Sequence, residues 1–220
     1  RGVCWKLWDA LIPPTLNDAH TIDGSGTGSF VSNLSGLNAG IQYILRAYAT
    51  NSQGTSYSYI RDFTTPPSFS IGQAYGGGII FFIDATGVHG LIAATSDQGV
   101  AEWGCMGTTT VATGTAVGTG QSNTSQIINL CATAGIAARL FTNYNGGGYN
   151  DWFLPSKDEL NLMYLQKSII GNFSGFRYWS STEFNSVEAC GQLFPNEFNG
   201  LQQCNVDKAA PQSVRAIRAF

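Results

Sequence analysis

Hydrophobic residues recur at two different periods along this chain. After Pro155 and Ser156, residues Leu160, Met163, Tyr164 and Lys167 follow at spacings of three and four, so one side of a helix can face a core. Ser156 with Glu159 three residues later forms the S-x-x-E pattern of a capping box, which satisfies the first free amides of a helix and predicts its start at Lys157. A second helical period runs over 123–141 through Ile127, Leu130, Cys131, Ala134, Ala138 and Phe141, with Gly135 as its weak point. That stripe reads as core. Between the two helices, 143–150 holds three consecutive glycines and reads as a flexible connection. Elsewhere the pattern is that of strands. Gly76-Gly77-Gly78 opens a run of β-branched and aromatic residues over 79–83, a turn at 84–87 follows, and 90–94 is the next strand. The glycines precede the strand, whereas a phosphate-binding loop follows one and opens a helix, so phosphate binding fails on order.

The character of the chain changes at Thr64-Thr65-Pro66-Pro67, which reads as a short stiff linker over 67–71. Before it, 34–51 has turn chemistry followed by an alternating strand, and this stretch resembles a fibronectin type III repeat. The resemblance makes Tyr43 a corner tyrosine whose hydroxyl bonds back to the preceding turn, 2–5 an early inner strand and 55–64 the last strand. A seven-stranded sandwich needs about 90 to 100 residues. The expectation for 1–66 is therefore a partial fibronectin III or Ig-like sandwich, N-terminally truncated or borrowing strands.

Three motifs mark 72–220: Asp151-Trp152-Phe153-Leu154-Pro155-Ser156-Lys157-Asp158-Glu159, then Tyr178-Trp179-Ser180-Ser181-Thr182-Glu183, then Val214-Arg215-Ala216-Ile217-Arg218-Ala219-Phe220. Together they resemble the C-terminal domain of a collagen-like bacterial adhesin, related in fold to C-type lectins and formylglycine-generating enzymes. The resemblance implies an α+β C-type-lectin-like fold in which the first and last strands pair, bringing 79–83 beside 214–220. It also implies a ligand-binding face over 184–212. There Phe184, Leu193, Phe198 and Val206 would be apolar anchors, and Glu188, Asn196, Gln202 and Gln203 would set hydrogen-bond specificity. Val187, Cys190, Pro195 and Gln212 complete that face. Its irregular pattern also resembles the hypervariable region of a diversity-generating retroelement's variable protein. Cys105 and Cys131 match positions where relatives carry cysteine, implying a disulfide in an oxidising compartment. Cys190 and Cys204 would staple the variable loops, and Cys4 resembles the buried cysteine of a G-V-C-W strand.

Composition narrows the function. Only 11% of residues are charged, against about a quarter in soluble domains, and the net charge is −3, so no basic footprint exists for nucleic acid. The longest strongly apolar run, 79–83, is far too short to span a bilayer. An extracellular, cell-surface or virion address fits, with any secretion signal or anchor lying outside this sequence. Asn196, Glu197 and Asp207 offer calcium-type oxygens, although neither lectin order, E-P-N or W-N-D, is present. No other cofactor is expected. His20 and His89 are the only histidines and lie in different domains, which disfavours zinc and general-base chemistry. A formylglycine-generating-enzyme-like oxidase using Cys190 and Cys204 is the enzyme alternative, and no enzymatic activity is expected. The reading is a protein that binds a protein or glycan on a cell surface, capable of trimerising, with a structural surface or filament subunit as the alternative.

Overall fold

The computed structural model describes residues 1–141 and 144–220, so Asn143 of the expected glycine connection lies outside the described residues. The chain divides into two compact units, Arg1–Ser68 and Phe69–Phe220.

The first unit holds β1 (Gly2–Leu7), β2 (Ala19–His20), β3 (Gln42–Asn51), β4 (Gly54–Tyr57) and β5 (Arg61–Thr64). All five join one antiparallel sheet around β3. β3 takes β1 along one edge, and at ten residues it is long enough to take β4 and β5 in succession along the other. The single last strand expected over 55–64 is thus two. Ser58 breaks it by turning its hydroxyl and its amide back to the amide and carbonyl of Ala47. The Tyr43 hydroxyl accepts from the Asn38 amide at 2.9 Å, the contact expected of a corner tyrosine. Cys4 is buried and unbridged, and burial pushes its thiol pKa up.

The second unit continues with β6 (Ala74–Tyr75), β7 (Gly78–Ile83), β8 (Gly90–Ala94), β9 (Gly99–Ala101), α1 (Gly120–Leu130), α2 (Lys157–Leu165) and α3 (Lys167–Ile170). It closes with β10 (Arg177–Glu183), β11 (Glu188–Leu193), β12 (Gln202–Asp207), β13 (Gln212–Val214) and β14 (Ile217–Ala219). One sheet has the order β14-β8-β7-β6, the other β12-β11-β10-β13-β9. All five residues of β8 are buried, because one cluster around Trp103 and Trp179 claims Ile92 while a second around Tyr178 and Phe194 claims Leu91 and Ala93. A strand packed on both faces reads as a continuous apolar run rather than an alternation.

Three expectations are corrected. The α+β lectin-like class is not supported: 31% of residues lie in strands and 15% in helices, spread over several sheets. β7 does not lie beside the last strand. Asp84 caps the turn through Thr86 and Gly87 takes a φ of 77°, so β7 and β8 zip into a local hairpin and β14 pairs with β8 instead. The helix expected over 123–141 runs from Gly120 to Leu130 and stops, since Cys131 is extended and Gly135 has a φ of 74°. Arg139 then folds back and donates to the carbonyls of Ile128 and Cys131, both at 2.7 Å, capping the end it would have extended. Leu130 and Ala134, expected in the core, are exposed.

Candidate functional site

The three motifs are framework. Ser156 and Glu159 form the capping box of α2, and buried Glu159 also accepts from the Gly118 amide at 2.7 Å, tying a distant loop to the helix start. Burial raises the Glu159 pKa. Arg218 grips Asp151 with two hydrogen bonds of 2.7 and 2.8 Å and stacks over Tyr149. Glu183 receives buried Lys208 at 2.6 Å and the Thr110 amide, while the same ammonium reaches the carbonyls of Thr108 and Ser186. Asp151, Glu159, Glu183 and the two arginines of these motifs each join segments far apart in sequence.

Arg215 does the most of this work. Its fully buried guanidinium pairs with Asp97 at 2.6 Å, donates to the carbonyls of Gly171 and Asn172, and lies 4.2 Å over the Phe173 ring. Asp97 in turn accepts from Ser174 and from the Tyr178 hydroxyl, which accepts from the Gly175 amide. Burial, reinforced by the bond to Asp97, holds the Tyr178 pKa well above the usual phenol range. Arg215, Asp97 and Tyr178 together therefore hold every residue of the loop 171–175.

That loop is one wall of a groove of about 470 Å³. Lys167 and Ser168 of α3 flank it, Phe173 and Phe194 lie at its base with ring centroids 4.8 Å apart, and Pro195 and Asn196 form the opposite wall. Beside the groove, exposed Phe176 and Phe198 meet edge to face at 5.1 Å, with exposed Leu201 next to them.

The residues expected on the 184–212 face do not converge. Leu193 and Val206, expected as anchors, are each 4% exposed and belong to the interior, because they point inward from paired strands β11 and β12. Phe184 and Val187 are exposed at the far end of β10, about 20 Å from Phe198 at 3.3 Å per strand residue. Glu188 accepts from Asn185 within the β10–β11 turn. Gln202 donates to the Lys157 carbonyl at 2.8 Å and Gln203 accepts from Arg177, so both hold strands in place. Gln212 pairs with Ala101 inside the sheet, on a strand flanked on both sides. Cys190 bridges Cys204 across β11 and β12, and Cys105 bridges Cys131. Only Pro195, Asn196 and Phe198 come together, at the groove. Asn196 and Glu197 precede β12 and Asp207 ends it, about 17 Å further along. These calcium candidates therefore do not share a site. The other half of the groove, Ser168, Asn172 and Phe173, and Phe176 beside it, escaped the sequence reading. Its signal was the run Gly171-Asn172-Phe173-Ser174-Gly175-Phe176, turn residues alternating with aromatics directly after a helix.

No family model matches the chain and no curated protein is matched. Among solved structures, a fimbrial protein from Bacteroides ovatus ATCC 8483 is similar in fold, with a TM-score of 0.53 and 11% identity. The likeness covers 99% of this chain, which spans 64% of the length of that one. It supports a mostly β fold in place of the α+β lectin-like class, and lends nothing to retroelement diversification or a phage origin. The two disulfides fit an extracellular or surface location. Among the described residues no helix is long and apolar enough to cross a membrane.

Proposed function

We propose that this chain is a non-catalytic subunit of a fimbria-like surface filament. The observation that carries the reading is the likeness to the fimbrial protein, which extends over 99% of the chain and therefore over both units. Two features support it. The first unit exposes Leu7, Trp8, Leu11 and Ile12 within six residues, an apolar segment of the kind that marks protein contacts. In the second unit, β12 is an edge strand, and an unpaired edge accepts a strand from a neighbouring copy. Among the described residues of the second unit the buried charges, Glu159, Glu183, Lys208, Arg215 and Arg218, are each engaged in holding other segments, which supports a role without chemistry. The subunit works without a cofactor in this reading.

Light scattering and negative-stain microscopy of the purified chain test assembly. Concentration-dependent oligomers are expected, and Trp8→Glu with Leu11→Glu should reduce them to monomer. A wild-type chain that stays monomeric at every concentration and is shielded from protease added to intact producing cells would overturn the reading. A ligand-binding tip subunit is the second reading, favoured by the groove beside Phe176 and Phe198.

A further inference from the structure

We propose that the groove between the 171–175 loop and Pro195-Asn196 binds a neutral saccharide, with the Phe176–Phe198 pair as its stacking ledge. The inference goes beyond filament assembly and is read on the soluble chain, so either can fail without the other.

The first argument is preorganisation. Exposed loops are ordinarily the mobile part of a fold. Here the wall is fixed by Arg215 at the carbonyls of Gly171 and Asn172, by Asp97 at Ser174, and by Tyr178 at Gly175. A wall already held in place loses little freedom when a ligand settles against it.

The second argument is chemistry. The side chains of Ser168 and Asn196 make no hydrogen bond among the described residues, line the groove and stand exposed. The Asn172 amide donates to the Thr95 carbonyl, leaving its oxygen as an acceptor. These are neutral donors and acceptors, suited to hydroxyl groups. Lys167 is the one charge lining the groove, and its ammonium is already committed to the Phe194 carbonyl at 2.7 Å and to the Tyr164 ring. An anionic ligand would have to displace it. A peptide added as a strand needs a free strand edge, and the walls here are a loop and a single 3-10 turn, Asn196–Phe198. A sugar ring needs none: its C–H face packs on an aromatic ring while its hydroxyls reach polar groups at the rim. Phe176 is 55% exposed and Phe198 37% exposed, and the two rings meet edge to face.

The experiment uses the full chain on an array of immobilised oligosaccharides ending in neutral hexoses, neutral N-acetylhexosamines, or acidic sugars, followed by calorimetric titration of the best binder. Binding of a neutral glycan is expected, weakened about tenfold or more by Phe176→Ala and by Asn196→Ala, each of which alters an exposed side chain. Leu165→Ala, exposed on α2 outside the groove, should leave it unchanged. Circular dichroism of each variant separates lost binding from lost folding, and Ser168→Ala serves in place of any variant that unfolds. Failure to bind any neutral glycan, preference for acidic ones, or binding indifferent to these substitutions would overturn the proposal.

Discussion

The Lys208–Glu183 pair sets the highest stakes of any single contact. Both side chains are essentially inaccessible, and Lys208 lies 4.6 Å over the Trp103 ring. Removing one partner strands the other charge in a medium that cannot solvate it, so Lys208→Met should cost about 3–5 kcal/mol in a denaturant titration. Replacing both partners with Met and Leu should recover much of that loss. The Arg218–Asp151 pair behaves differently because the Asp151 side chain is 43% exposed. At neutral pH Asp151→Asn should cost no more than about 1 kcal/mol. Hydrogen bonds from Arg218 lower the Asp151 pKa below its ordinary 3.8, so this pair stabilises the fold above that pH and ceases to as pH falls through the depressed value. Melting curves of the wild type and Asp151→Asn should therefore separate near pH 7 and converge in acid. The sequence displayed both arginines within a recognisable motif. It could not display the pairings, since Asp97 lies 118 residues from Arg215 and Asp151, although in a motif of its own, lies 67 from Arg218.

Among the elements, those governed by neighbouring residues were legible. The capping box placed the start of α2 correctly because its chemistry is complete within four residues. The period over 123–141 misled because helical spacing continues across Leu130 to Phe141, whereas the backbone is turned aside by Gly135 and by the bridge from Cys131 to Cys105. The face over 184–212 misled for a related reason: its irregular pattern concealed two paired strands, β11 buried from Ala189 to Leu193 and β12 with Val206 turned inward. The two bridges close loops of different span, separated by 26 and 14 residues. Chain-entropy arithmetic gives each about 3 kcal/mol. Replacing Cys105 and Cys131 by Ser should lose about that much, measured by urea titration. Replacing Cys190 and Cys204 should lose slightly less, since the shorter loop removes less entropy from the unfolded chain.

For the whole molecule, the change of character at Pro66-Pro67 coincides closely with the boundary between units at Ser68 and Phe69. Local composition marks such a boundary because few contacts cross it. Sheet order was not legible, as it depends on pairings between strands far apart in sequence. In the second unit, β13 lies between β10 and β9, and β14 closes the edge of β8. A ribosome must therefore finish residues 212–220 before either sheet can be completed, and Arg215 cannot fix the groove wall until then. Folding of this unit waits on that segment, so copies terminated before residue 212 lack the strands that complete both sheets.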